Sequence, residues 1–355
     1  MLRRLLLPPF QGERLHAYAG SMREATHAAL ERWPRDKPFA LLPRMGSLTI
    51  ELLLRNVFGI EHEEELATFA RRFPSLVDSI ASPLYLLPAL SGVDVFQKVP
   101  WLHASRMKRE VDEALYALIA HRRANPGEGR QDMLGLLLEG RDEAGQPLSD
   151  AELRDALFTV IVAGYETTAI GLSFAVERLL SEPEALARVR EELERVVGAE
   201  ELQAGHLGQL EYLDAVIKET LRVRPVVPLV SRLTKEPFAL STCTLPAGTT
   251  MALGIALTHL DETLYPEPER FKPERFLGQK PDPYAWLPFG GGARRCLGMA
   301  LSLYEMKGVL ATLLRRAELR LASKRPVRME RRSIMFAPSG GVPVVLTRLG
   351  PRAHA

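Results

Sequence analysis

The sequence predicts a mainly α fold with minor β. Over the first two thirds of the chain, apolar residues recur at helical spacing. After Pro225 the composition turns β-rich, with a Pro-Ala-Gly turn signal. No repeat, low-complexity stretch or linker divides the 355 residues. One domain is therefore expected over 1–355, helix-rich over 1–224 and β-rich over 225–355.

Leu48–Phe58, Glu63–Ser79 and His103–Arg123 have helical spacing. Asp150–Leu180 reads as one long helix entered through "LSDAEL". Ser149 or Asp150 caps it, because a short oxygen-bearing side chain accepts from a first-turn N–H. Glu184–Val197 is a charged amphipathic helix stopped at Gly198. Leu210–Val223 is another, stopped by "RPVVP", whose prolines cannot continue helical hydrogen bonding. The segment "LVSRLTKEPFALSTCTLPAGTTMALGIA" reads as strands, and "YPEPERFKPERF" as irregular chain. A last long helix spans Leu297–Arg315, and the tail "RMERRSIMFAPSGGVPVVLTRL" reads as short strands.

Bulk composition excludes several classes. With 46% hydrophobic and 25% charged residues, the chain has the make-up of a soluble globular protein. Its 46 basic and 44 acidic residues leave a net charge of +2, which gives no reason to expect nucleic acid or an anionic membrane as partner. "MLRRLLLPPF" has three leucines cut short by two prolines, so it is neither signal peptide nor membrane span. The most apolar helical stretch, Ala156–Val176, is interrupted by Glu166, Thr167 and Thr168, which suits burial in protein rather than lipid. A cytoplasmic location without a membrane anchor is expected. Two cysteines 53 positions apart do not make a disulfide framework.

The stretch that carries chemistry is "FGGGARRCLG", Phe289–Gly298. Cys296 precedes the last helix, whose first turn offers unpaired N–H groups and partial positive charge. Both stabilise a thiolate. Gly290 and its neighbours let backbone approach a flat ligand, because no Cβ intervenes. Phe289 is placed to shield the sulfur from water, and Arg294 to direct a cation at an anionic rim. These features together describe haem held by an axial cysteine; a buried structural cysteine after a glycine turn is the plain alternative.

"FGGGARRCLG" resembles the haem-binding signature of the cytochrome P-450 family, Phe-x-x-Gly-x-Arg-x-Cys-x-Gly, at every fixed position. The resemblance implies the cytochrome P-450 fold and heme b, iron protoporphyrin IX, bound through the Cys296 thiolate. Other motifs follow in the family's order. "ETLR" places Glu219 and Arg222 three apart on a helix; alone it would be an exposed pair worth about 0.2–0.5 kcal/mol. It resembles the family's Glu-x-x-Arg helix, and "PERF" supplies the second arginine of a buried triad as Arg275. Such a knot is expected to fix the fold around the haem rather than add net stability.

"AGYETT", Ala163–Thr168, resembles the family's oxygen-activation motif. The Thr167 hydroxyl is positioned to bond the Ala163 carbonyl and loosen the helix. Gly164 is expected to leave room for a diatomic ligand. The resemblance assigns Thr167 to hold and protonate the bound oxygen, with Glu166 helping to deliver protons. Arg232 in "SRLT" resembles a strand arginine that pairs with a haem propionate. Arg3 resembles a further propionate-gripping arginine. Cys243 reads as structural, and His259 as a packed or exposed residue without a metal-ligand pattern.

The resemblance covers nearly the whole chain but starts late. The family's N-terminal sheet, first helices and the loop roofing the substrate pocket have no counterpart here, so the fold is expected to be N-terminally truncated. A misassigned start codon, a truncation or a degenerate gene would each account for this; the intact downstream motifs favour the first.

What the resemblance implies is a haem-dependent monooxygenase that inserts one atom of dioxygen into a lipophilic substrate: a fatty acid, terpenoid, steroid or polyketide. Apolar segments such as Ser82–Phe96 are among those expected to meet it. Electrons are expected from a separate ferredoxin or flavodoxin with its reductase, drawn to basic residues including Arg294, Arg295 and Lys307. The alternatives are a peroxide-driven peroxygenase of the same fold, which the Glu166–Thr167 pair argues against, and a truncated non-catalytic haem-binding protein.

Overall fold

The computed structural model describes residues 6–7, 10, 12–60, 66, 69–70, 73, 99–125, 132–141 and 144–352. Helices dominate the first part: α1 (Glu13–Glu31), α2 (Leu41–Asn56), α3 (Val99–Ala124), α4 (Met133–Glu139), α5 (Asp150–Ser181), α6 (Pro183–Val196), α7 (Ala204–Leu207) and α8 (Glu211–Val223). Strand β1 (Pro38–Ala40) lies between α1 and α2. After Pro225 come β2 (Leu229–Leu233), β3 (Phe238–Ala239), β4 (Thr244–Leu245), β5 (Thr250–Gly254) and the short α9 (Ile255–His259). The long α10 (Met299–Arg316) follows, and then β6 (Ala317–Leu321), β7 (Met329–Arg332), β8 (Met335–Pro338) and β9 (Pro343–Leu349).

The helix boundaries have local causes. Ser149 and Glu152 form a reciprocal capping box at the start of α5: Ser149 Oγ accepts from Glu152 N, and Glu152 Oε2 accepts from Ser149 N. Asp132 caps α4 by accepting from Gly135 N at 2.9 Å. Pro183 begins α6, where its missing N–H costs nothing. Gly198, at φ 53°, follows the end of α6. Helix α2 starts seven residues before the expected Leu48. Helix α1 lacks a strong apolar signal in the sequence, because much of its buried face is Ala19, Ala25, Thr26 and Ala29. The expected helix Glu63–Ser79 lies almost wholly outside the described residues.

Helix α5 is the spine. From Thr168 to Glu177 every residue is buried. By length and composition it could cross a membrane, yet 61% of its most apolar window is covered by the rest of the chain. Its tightest neighbour is α2. A Cβ on Gly164 would stand 3.2 Å from Leu53 Cδ2, so this glycine serves the close approach of two helices. A continuous apolar core runs from Leu6 to Leu346.

The strands form small antiparallel ladders. Strand β9 is central to a three-stranded sheet ordered β1-β9-β6, with Phe39 opposite Val344 and Leu321 also opposite Val344. β2 pairs with β5, β3 with β4, and β7 with β8.

One carboxyl group in α10 is buried without compensation. Glu305 is 4% exposed, and its Oε1 has no hydrogen-bond partner among the described residues. Burial pushes its pKa from 4.5 up to about 8. Between those two values the native state keeps a proton that the unfolded chain has lost. Stability therefore falls as pH rises through that window and levels off above it. Glu305→Gln stays neutral at every pH, so its thermal midpoint should gain on the parent's from about pH 5 to about pH 8. A difference that stays constant over this range would exclude uncompensated burial.

Candidate functional site

The site is built on a charged knot at the end of α8. Glu219 and Arg222 side chains are both 0% exposed. Arg222 Nε and Nη2 each donate to a different carboxylate oxygen of Glu219 at 2.7 Å, a bidentate pair. Arg222 also donates to the carbonyls of His259 (2.8 Å) and Arg270 (3.2 Å), and sits over the Tyr265 ring. Glu219 Oε1 accepts from Lys272 N at 2.8 Å. Arg275 Nε lies 3.5 Å from the same oxygen, and its Nη2 donates to the Pro266 and Glu267 carbonyls. The structure thus brings Glu219, Arg222 and Arg275 together.

This knot anchors the loop that carries the cysteine. His259 is 1% exposed, and burial pulls its pKa down to about 4. Its neutral ring accepts from Leu287 N at Nε2 (2.9 Å), which leaves Nδ1 to donate to the Arg222 carbonyl at 3.1 Å. Trp286 Nε1 donates to the Lys218 carbonyl at 3.1 Å, and its ring packs against Phe276 and Phe289. His259 and Trp286 therefore tie the segment before the glycine run to α8, a role with no local signature in the sequence.

Within the run, Gly290 and Gly292 adopt φ 66° and 64°, conformations that side chains other than glycine's rarely accept. Gly290 N donates to Leu287 O and Cys296 N to Phe289 O, both at 2.9 Å. These bonds turn the chain back on itself and present Cys296, which is exposed and not in a disulfide. Phe289 is half-buried. Helix α10 begins at Met299, two residues later than expected, because 292–294 forms a short 3₁₀ turn and Gly298 is the cap residue.

Along α5, an open window precedes the fully buried turns, continuing the exposure of Asp155 and Thr159 earlier in the helix. Ala163 is exposed and Val160, Gly164 and Thr167 are half-exposed, while Tyr165, Glu166 and Thr168 are buried. Thr167 Oγ1 donates to the Ala163 carbonyl at 2.8 Å, and Thr168 Oγ1 to that of Gly164 at 3.0 Å. Thr168 Oγ1 is also 3.2 Å from Ser302 Oγ. Ser302 lies six residues after Cys296, in the first turn of α10. The two hydroxyls stitch the open turn of α5 beside the start of α10. The sequence reading passed over both.

Glu166 is 8% exposed and held by Arg332 of β7, whose Nε donates to Oε1 at 2.6 Å. Arg232 is half-exposed on β2, opposite Met251, with Nη1 donating to the Ser231 carbonyl. Arg294 is exposed on the glycine loop. Neither Arg232 nor Arg294 has a carboxylate partner among the described residues. Arg3 and Ser82–Phe96 lie outside the described residues. Two expectations need correction. Lys307 is not available to a protein donor, because it is 15% exposed and paired with Asp214 at 2.8 Å. Cys243 is not a core residue: it is exposed between β3 and β4.

These residues fit a haem. An exposed thiol outside any disulfide precedes a helix, glycines shape the loop around it, and two guanidinium groups lack carboxylates among the described residues. The cytochrome P-450 sequence profile matches residues 1–343.

The chain belongs to the cytochrome P-450 family.

Cytochrome P-450 137 of Mycobacterium tuberculosis is 40% identical over 344 residues, which cover 96% of this chain and 69% of that protein. Cytochrome P-450 138 of Mycobacterium bovis is 36% identical, over 98% of this chain and 76% of its own length. A solved structure, retinoic acid bound cyanobacterial CYP120A1, superposes with a TM-score of 0.86 at 27% identity, covering 98% of this chain and 78% of that one. This cytochrome P-450 is therefore a haem-dependent monooxygenase with the expected mainly α fold. The family uses dioxygen and redox partner proteins and binds lipophilic substrates.

Proposed function

We propose that the Cys296 thiolate would hold heme b, and that this cytochrome P-450 inserts one oxygen atom into a lipophilic substrate in the cytoplasm. Electrons come from a separate ferredoxin or flavodoxin with its reductase. The observation that carries this is the placement of Cys296 at the head of α10, which Thr168 and Ser302 bind to the open turn of α5. When bound, the haem supplies dioxygen activation and oxygen transfer. Arg232 and Arg294, with Arg3, would hold its propionates.

The chain's own part in the reaction is to place protons. Thr167 keeps its hydroxyl proton parked on the Ala163 carbonyl, at the edge of the open window. Rotation of the hydroxyl brings that proton over the window; Glu166, ionised while paired with Arg332, takes up a proton from solvent once released and passes it to the Thr167 oxygen. A lipophilic substrate suits the apolar segments of the chain, and the retinoic acid held by the structural relative is of that kind.

Thr167→Ala removes the proton holder and leaves the fold. Electron consumption should continue while product per electron falls and peroxide release rises by at least about tenfold. Thr167→Ser should restore coupling. Unchanged coupling in Thr167→Ala would take this residue out of the relay. Turnover with hydrogen peroxide, and none with any reductase system, would replace the proposal with a peroxygenase.

A further inference from the structure

The ion pair between Glu166 and Arg332 is lopsided. Arg332 Nε donates to Glu166 Oε1 at 2.6 Å, yet the glutamate side chain is 8% exposed and the arginine side chain 40%. The acid is sunk in α5 and the base leans over it from β7. Glu166 directly precedes Thr167, and Ala163 lies one helical turn before it. Arg332 therefore stands at the border of the open window in α5.

The hairpin that carries Arg332 is pinned. Strand β8 packs on α5, and Phe336 N donates to the Val226 carbonyl at 2.8 Å. At the tip, Ser333 takes φ 58°, and its carbonyl accepts from Arg331 Nε at 3.0 Å. Apolar side chains flank the guanidinium. Met335 is directly opposite Arg332 in the ladder and half-buried, and Ile334 at the tip is 75% exposed. Glu330 shares Arg332's strand face but is exposed and makes no ion pair among the described residues. β8 carries no charged residue, and on α2 Glu51 pairs with Arg55 at 3.1 Å. A fixed cation thus stands between apolar side chains and a carboxylate that a competitor can displace.

We propose that the substrate is a lipophilic carboxylic acid, whose carboxylate takes Arg332 from Glu166 and so releases the proton relay. This rests on the monooxygenase reading above and adds the substrate's head group and the trigger. Guanidinium and carboxylate match as planar forks, so the incoming acid reproduces the bond that Glu166 gives up. The exchange also balances charge. Before it, Arg332 neutralises Glu166. After it, Arg332 neutralises the substrate, and Glu166, left buried without this cation, binds one proton from solvent. That proton is the one passed to the Thr167 oxygen. A phosphate monoester, with about 1.5–2 negative charges, would leave charge uncompensated beside α5, and a neutral alcohol would not displace Glu166. The apolar body of the acid suits Met335 and Ile334 of the hairpin with Val160 and Ala163 of the window.

Dodecanoic acid and dodecanol, titrated below their micelle concentrations into the haem-loaded full chain at neutral pH, separate head group from tail. Calorimetry in two buffers of different ionisation enthalpy also counts protons. The acid should bind at least about tenfold more tightly than the alcohol and take up about one proton per chain, whereas the alcohol takes up none. Glu166→Gln removes the competing carboxylate. Its affinity for the acid should rise at least about fivefold over the parent's, without proton uptake, while its affinity for the alcohol stays the same. A pair that only supports the fold would lose affinity instead. Arg332→Gln should bring acid and alcohol to equal affinity. All of these are read on protein that shows the red-shifted band of its reduced carbon monoxide complex, so a failure of thiolate ligation is seen separately. The relay reading also fails separately, through unchanged coupling in Thr167→Ala. Equal affinity for acid and alcohol in the parent, no saturable binding of the acid, or acid binding without proton uptake would overturn the proposal. So would an unchanged or weakened affinity for the acid in Glu166→Gln.

Discussion

Cys296→Ser protein, reduced and exposed to carbon monoxide, is expected to lack the red-shifted Soret band of thiolate ligation completely. The reason is chemical rather than steric. Serine fills nearly the same space, and the loop bonds that present position 296 are made by backbone, Cys296 N to Phe289 O and Gly290 N to Leu287 O. The loop should therefore keep its shape. What disappears is the thiol itself, and a serine hydroxyl does not supply a thiolate. The chain's one other thiol is Cys243, exposed between β3 and β4. Cys243→Ser should accordingly leave the band unchanged. A thiolate band persisting in Cys296→Ser would move the ligand elsewhere.

Arg222→Ala should produce the largest loss of stability, about 3–5 kcal/mol, read as a fall in the denaturant midpoint together with loss of bound haem. Replacing Arg222 leaves the carboxylate of Glu219 fully buried with its bidentate partner gone. The carbonyls of His259 and Arg270 lose their donor in the same step. His259 itself donates to the Arg222 carbonyl and accepts from Leu287, so disturbance at the knot passes directly to the cysteine loop. Arg270→Ala is the control. It removes an exposed pair with Glu267 of the same chemical type and should cost under about 1 kcal/mol. Similar losses in the two variants would show that the buried knot has no special weight.

Much of this site was legible in the sequence because its chemistry needs fixed local spacing. The cysteine loop, Glu219 with Arg222, and Thr167 over the Ala163 carbonyl all lie within a few residues of their partners. Long helices such as α5 were legible for the same reason, from a capping box and a sustained apolar stripe. What stayed hidden depends on residues far apart in the chain. Nothing near Glu166 announces Arg332, which is 166 positions away. Nothing beside Gly164 announces that it packs against Leu53 of α2, 111 positions away. Lys307 looks like a free cation until α8 brings Asp214 beside it. Helix α1 escaped notice because alanines, not large apolar residues, make much of its contact face.

The pairing of β9 with β1 also shapes how the molecule is made. Phe39 meets Val344 across 305 positions of chain, and β9 also joins β6. At about 5–20 residues per second, a ribosome takes roughly 15–60 s to travel that distance. Through that interval β1 has emerged without its partner, and the sheet can close only once β9 has been made. Until then the open edge of β1 is available to a neighbour's strand on the same polysome.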